Sequence, residues 1–296
     1  MGTPPQNLRL HLDTGSSDLW ANTGSSTLCR EAGNPCAISG TYNANQSSTY
    51  KYVNSVFNIS YVDGSGARGD YAADTFGFGG QSLTGMQFGI GYSSSSPEGI
   101  LGIGYPINEV QVNRGGLAPY PNLPQLLVQK GVTNTPAYSL WLNDLDSNTG
   151  SILFGGVDTA KYHGSLQTVP IIKEYGYYQE FIIALTGMRI GSHSLFSGQT
   201  TPVLLDSGSS LMYLPNQVTQ SIYSQVGARY DSAQGAAFVD CNLANNATTL
   251  DFTFSSPTIS VPMNELVIVA GTSRGRPVCI LGEPLPLPPP SPTSAI

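Results

Sequence analysis

Leu8-Arg9-Leu10-His11-Leu12-Asp13-Thr14-Gly15-Ser16-Ser17-Asp18-Leu19-Trp20 is the stretch whose reading decides the fold. Leu8, Leu10 and Leu12 alternate with Arg9 and His11, the period of a half-buried strand. The strand delivers Asp13 to a turn made of Thr14, Gly15 and two serines. A carboxylate at the end of an apolar strand is costly to bury unless hydrogen bonds surround it. Thr14, Ser16 and the Gly15 amide are placed to supply them. Alone, Asp-Thr-Gly is equally a surface turn.

The chain then repeats itself. Val203-Leu204-Leu205-Asp206-Ser207-Gly208-Ser209-Ser210-Leu211 has the same plan, from apolar strand through Asp, hydroxyl residue and Gly to two serines. Each copy is followed at a distance by Ile-Leu-Gly, at Ile100-Leu101-Gly102 and at Ile280-Leu281-Gly282. Landmarks recurring in one order point to two similar halves, each presenting one carboxylate.

With 296 residues the chain is long enough for two domains or one large one. Only 10% of residues are charged, against 34 Gly and 21 Pro, which favours short strands and turns over amphipathic helices. No stretch approaches the apolar length of a membrane span. A formal net charge of -7 and a pI of about 4.8 argue against nucleic acid as partner and suit an acidic external medium. The four cysteines form two sequence-local pairs, Cys29 with Cys36 and Cys241 with Cys279. Three connectivities are possible, and one pair per half is the natural choice. Their spacing fits no CxxC metal or redox motif, so disulfides in an oxidising compartment are expected, contributing roughly 2.5 and 4 kcal/mol by loop-closure entropy. Asn45, Asn58 and Asn246 head possible N-glycosylation triplets. No secretory signal follows Met1.

Along the chain, Tyr50 to Tyr61 alternates like a strand, and Asp63-Gly64-Ser65-Gly66 makes a hairpin turn into Tyr71 to Phe78. Gly85 to Tyr92 and Glu98 to Gly104 read as short buried strands. Leu123 to Lys130 is helix-like with a Gly131 stop, and Gln217 to Val226 is a helix with Val218, Ile222 and Val226 on one face. Tyr138 to Leu142 and Ser151 to Gly156 read as a strand pair; Tyr175 to Arg189 opens the second half. Phe252 to Phe254 and Glu265 to Ala270 complete the expected strands. The tail from Glu283 to Ile296 is Pro-rich, extended and unable to donate to a sheet ladder. His11, His163 and His193 lie in no HExxH or triad context.

On the two Asp-Thr/Ser-Gly motifs the chain resembles the pepsin-like family of aspartic endopeptidases, from Gly2 to Gly282. In Tyr61-Val62-Asp63-Gly64-Ser65 and the Cys29–Cys36 loop it is most similar to fungal secreted or cell-surface members, the yapsin-like group included. The resemblance implies an all-β dominated, bilobal fold with a central cleft and few short helices. Residues 1–165 would carry Asp13 and the flap, residues 166–282 would carry Asp206, and 283–296 would be a tail. Asp13 and Asp206 would share one proton, activate a water and hydrolyse peptide bonds at acidic pH. No metal or other cofactor is implied. Ser16 and Ser209 stand where hydroxyls bond the outer oxygens of the pair, and Gly15 and Gly208 let substrate approach. Tyr61 is the flap tyrosine and Trp20 its hydrogen-bond partner. Val62 replaces a glycine common after that tyrosine. Asp63 lies near substrate or merely forms the turn, the second being the stronger expectation.

Extended peptides and pepstatin-type inhibitors are the implied partners, and a secreted or cell-surface monomer the implied state. Relatives begin with an export signal and propeptide and continue past the second Ile-Leu-Gly, so both ends read as truncated. That leaves, as alternative, a catalytically impaired homologue that binds peptides without turnover. A glycosidase is disfavoured, because its two carboxyls stand farther apart.

Overall fold

A computed structural model describes residues 1–144, 147–173, 176–282 and the backbone of 285–286. The Pro-rich tail otherwise lies outside the described residues, as does Tyr175. Strands dominate, and the chain divides into two compact units. The first comprises Met1–Gly164, Lys173–Phe181 and Leu204–Gly208; the second comprises Ser165–Ile172, Ile182–Val203 and the chain from Ser209 on. No helix among the described residues is long and apolar enough to cross a membrane.

The first unit is built on a six-stranded sheet. Its strands are β1 (Leu10–Asp13), β2 (Leu19–Asn22), β3 (Lys51–Ser60), β4 (Gly66–Phe78), β5 (Gln81–Ser94) and β6 (Gly99–Gly102), in the order β1-β6-β2-β5-β4-β3. The short α1 (Val110–Asn113) and α2 (Leu123–Gln129) follow, then the hairpin of β7 (Tyr138–Trp141) and β8 (Ser151–Phe154). Leu19, Leu83, Met86, Phe88, Ile103 and Leu123 form the main core. A separate aromatic block of Trp20, Phe57, Tyr71 and Tyr120 packs with Ile59, Ala67 and Val110. The predicted α2 ends as expected, with Gly131 in the left-handed region at φ 69°.

The second unit holds two four-stranded sheets. One is ordered β10-β9-β14-β15, with β9 (Ile182–Ile190), β10 (His193–Leu204), β14 (Thr249–Phe254) and β15 (Thr258–Pro262). The other is β12-β13-β17-β16, with β12 (Arg229–Asp231), β13 (Ala236–Val239), β16 (Val267–Ser273) and β17 (Arg276–Leu281). Between them run β11 (Tyr213–Leu214), α3 (Asn216–Val226) and α4 (Met263–Leu266). Val218 and Ile222 of α3 are buried among Met188, Leu214, Leu250 and Leu281, as their spacing predicts.

Three expectations change. Glu265 and Leu266, expected in a strand, belong to α4, and the strand begins at Val267. Leu285–Pro286, expected outside any ladder, pairs in parallel with β11; proline is tolerated because only its N–H is missing and its carbonyl remains an acceptor. Ile100–Gly102 pairs in parallel with the strand that ends at Asp13, whereas Ile280 and Leu281 pair with β13 and β16. The second copy of the motif therefore repeats the sequence of the first but not its strand pairing. Both disulfides, Cys29–Cys36 and Cys241–Cys279, are formed, each closing a Cα–Cα distance of 5.2 Å.

Candidate active site

Asp13 is the last residue of β1, and its register is fixed by pairing with Gly102. The amide of Ile103 donates to the Asp13 carbonyl at 2.9 Å, and that of Gly104 to the Ser16 carbonyl at 2.9 Å, so the loop is clamped on both sides of Gly15. The Asp13 side chain is buried. Its Oδ1 accepts from the Gly15 amide at 2.8 Å, and its Oδ2 accepts from the Ser16 hydroxyl. Thr14 does not serve the carboxylate. Its hydroxyl donates to the Leu205 carbonyl at 3.1 Å and accepts from the Ser207 amide at 2.9 Å.

Ser207 returns the arrangement. Its hydroxyl donates to the Leu12 carbonyl at 2.9 Å and accepts from the Thr14 amide at 3.2 Å. Leu204–Gly208 thus belongs to the first unit, stitched to the Asp13 loop by reciprocal side-chain to backbone bonds. Within this segment the Gly208 amide donates to Asp206 Oδ1 at 2.8 Å, the same local bond that Gly15 makes to Asp13.

The glycines decide how close the two loops come. A Cβ added at Gly15 would stand 2.6 Å from the Asp206 carboxyl carbon, and one at Gly208 would collide with Asp13 Oδ1. Only glycine leaves room for this contact, because it alone lacks that atom. Burial pushes the Asp13 pKa up to about 6; the hydrogen bond and charge of Asp206 add to the rise, and Ser16 and the Gly15 amide oppose it. Asp13 is thereby equipped to retain a proton in mildly acidic solution.

Of the other expected site residues, Trp20 and Tyr61 are brought together. The Trp20 indole Nε1 donates to the Tyr61 hydroxyl at 2.8 Å. Burial, with the charges of Asp13 and Asp18, holds the Tyr61 phenol well above its ordinary pKa. Tyr61 opens the tight turn between β3 and β4, closed by Tyr61 N to Ser65 O at 2.8 Å with Gly64 at φ 84°. Val62 is exposed on that turn. Asp63 Oδ1 accepts from the Ser65 amide at 2.8 Å, the role of a turn former. Ser209 is exposed and falls in the second unit. Asn45, Asn58 and Asn246 are exposed, and Asn246 Oδ1 accepts from both the amide and the hydroxyl of Thr248, at 2.9 and 2.8 Å. His11, exposed as its place in the alternation predicts, has Nε2 3.3 Å from the Ser207 carbonyl.

One residue of the opening stretch was not anticipated as part of the site. Asp18 is 1% exposed, and three donors converge on it. The Tyr71 and Tyr120 hydroxyls donate to Oδ1, Tyr120 at 2.8 Å, and the Val110 amide donates to Oδ2 at 2.8 Å. Burial raises its pKa against these bonds. Glu109 lies beside it, fully buried, with Oε2 accepting from the Tyr120 amide at 2.8 Å. Its Oε1 has no hydrogen-bond partner among the described residues, and burial pushes its pKa up to about 9. The sequence signal is an Asp placed directly before the apolar pair Leu19-Trp20. A cavity of ≈ 460 Å³ opens beside Ile103 and Gly104, walled by Tyr105, Asn122, Tyr138 and Phe181.

The eukaryotic aspartyl protease family model matches residues 1–294. The chain is 55% identical over 290 residues to a probable aspartic-type endopeptidase opsB of Aspergillus fumigatus, covering 95% of this chain and 60% of that protein. It is 40% identical to an acid protease of Saccharomycopsis fibuligera, over 95% of this chain and 70% of that one. Identity to secreted aspartic protease 8 of Candida albicans is 37%, over 92% of this chain and 65% of the relative. The chain spans about 60% of the length of the opsB relatives.

Proposed function

Because the chain belongs to the eukaryotic aspartyl protease family, and has its all-β pepsin-like fold, we propose that it is an endopeptidase cleaving peptide bonds at acidic pH with a water activated between Asp13 and Asp206. The observation that carries the proposal is the mutual approach of the two loops, each glycine leaving room for the other loop's carboxylate. In this reading the pair holds one proton. The ionised member takes a proton from the water, which attacks the scissile carbonyl. The protonated member donates to the carbonyl oxygen and stabilises the charge that develops there. Ser16 and Gly15 hold Asp13 in one orientation, and the cross-bonded Thr14 and Ser207 hold the two loops in one register. Tyr61, fixed by Trp20, closes over an extended peptide from the hairpin turn.

The same reading assigns residues 1–165 and 166–282 to the two lobes, with Gly208 and Ser209 completing the second motif. It makes extended peptides the substrates, pepstatin-type compounds the inhibitors and a monomer the working form. The naming of a relative as secreted, together with two disulfides, supports a secreted or cell-surface location. Asn45, Asn58 and Asn246 are then the candidate glycan acceptors.

Hydrolysis of a denatured protein at about pH 4, with and without pepstatin, tests the proposal. Pepstatin-sensitive cleavage is expected, abolished in both Asp13→Ala and Asp206→Ala. Folded protein that binds peptide but cleaves nothing would instead identify an impaired homologue. Full turnover in either alanine variant would overturn the dyad.

A further inference from the structure

The buried carboxylate of Asp18 has no place in the chemistry above, yet it sits at a junction. Its backbone carbonyl accepts from Gly102 N at 3.0 Å, beside the strand pair that fixes Asp13. Its side chain ties together β4 through Tyr71, the start of α1 through Val110, and the segment before α2 through Tyr120. From Tyr71 a column of rings leads to the flap. The Tyr71 and Phe57 centroids are 5.2 Å apart and those of Phe57 and Trp20 are 6.4 Å apart, and the Trp20 indole holds the Tyr61 hydroxyl. Tyr120 closes the block from the other side, its ring 5.8 Å from Tyr71. Trp20 and Tyr71 are fully buried, so a shift at one end passes to the next ring rather than into solvent.

We propose that Asp18 is a positioning residue for peptide hydrolysis: its carboxylate sets the Tyr71–Phe57–Trp20 column that aims the Tyr61 hydroxyl, while its backbone anchors the Asp13 loop. This rests on the endopeptidase reading and deepens it. The choice of residue type follows from the surroundings. A carboxylate only accepts, and the two phenols and the Val110 amide that meet it all donate. A carboxamide of the same shape has one acceptor oxygen, so either the two phenol protons or the Val110 amide lose their acceptor, and the block must shift to satisfy them. Glu109 also accepts from the Tyr120 amide, so Tyr120 is bonded to two acids, through its backbone and through its hydroxyl.

The chain has two tryptophans, so a Trp141→Phe background leaves Trp20 as the sole indole and its emission as a direct report on the column. In that background Asp18→Asn is expected to lower kcat on a peptide substrate by about tenfold or more, since small displacements of aligned groups carry large rate penalties. Trp20 emission should shift in the folded protein in the same direction as in Tyr61→Phe. A folded Asp18→Asn protein with unchanged kcat and emission would overturn the proposal. So would one that only melts earlier, with kcat and emission unaltered below the transition. Where Asp18→Asn fails to fold, Tyr71→Phe decides, because it keeps the ring and removes one donor: a fall in kcat with a shifted emission supports the role, and unchanged values reject it. If the wild-type protein cleaves nothing, the endopeptidase reading falls, and the emission comparison still decides whether Asp18 positions the column.

Discussion

Gly15 and Gly208 do the same job for opposite carboxylates, and neither can be replaced without moving charge. A methyl at Gly15 would stand 2.6 Å from the Asp206 carboxyl group, far inside contact distance. Neither glycine carries a positive φ, so the requirement is space and not backbone conformation. Gly208→Ala is therefore expected to cut kcat/KM by on the order of 100-fold, with a smaller effect on thermal stability. Steady-state kinetics beside a melting curve separates the two. A second residue-scale outcome follows from what raises Asp13. Burial is the largest cause, and the hydrogen bond and charge of Asp206 add to it. In Asp206→Asn the charge is gone, so the Asp13 pKa should fall below about 6 while staying above its ordinary 3.8, because burial persists. Carbon-13 NMR of the Asp13 carboxyl measures it, and an unchanged value would show that the two groups do not interact.

At the scale of elements, the candidate site is two loops joined by four hydrogen bonds through Thr14 and Ser207. Thr14→Val keeps the shape and removes the hydroxyl, leaving the Ser207 amide and the Leu205 carbonyl without a partner. The expected cost is about 1–3 kcal/mol of stability, read as a lower Tm with a matching loss of activity. Sequence made both loops visible because each motif is contiguous and recurs in the same order. It also made α3 visible, because Val218 and Ile222 recur one turn apart. The Asp18 cluster was not legible. Its members stand at Asp18, Tyr71, Glu109 and Tyr120, on separate elements that only the folded sheet brings together. Of the long β10 only the end at Val203 and Leu204 is legible in sequence, because the strand before it is mostly exposed and carries no apolar alternation. Adjacency in sequence does not place the Thr14 hydroxyl on the Asp13 carboxylate, because in this turn it faces Leu205 and Ser207 instead.

At the scale of the molecule, the pH dependence of the first unit above about pH 4.5 follows from carboxyls raised by burial. Glu109 is raised from an ordinary 4.5 to about 9 by burial. A carboxyl raised on folding stabilises the fold fully below 4.5, and that contribution erodes as pH climbs and is lost through about 9. Asp18 is shifted in the same direction. The first unit should therefore melt at progressively lower temperature as pH rises from about 4.5 to about 9. Glu109→Gln, which mimics the neutral acid, should flatten that slope. The second unit has its own control in the Cys241–Cys279 bond. Replacing both cysteines by serine is expected to cost about 2–5 kcal/mol, measured by denaturant unfolding against the intact protein.

The allegiance of Leu204–Gly208 turns this last variant into a probe of activity. Five residues carry one of the two acids into the first unit, while β10, from which they run, has its body up to Val203 in the second. In the endopeptidase reading, turnover then depends on a short tether staying docked in the first unit. As the second unit loosens, cleavage should vanish at milder denaturant than the far-UV signal of the first unit, and the gap between the two midpoints would measure how firmly those five residues are held.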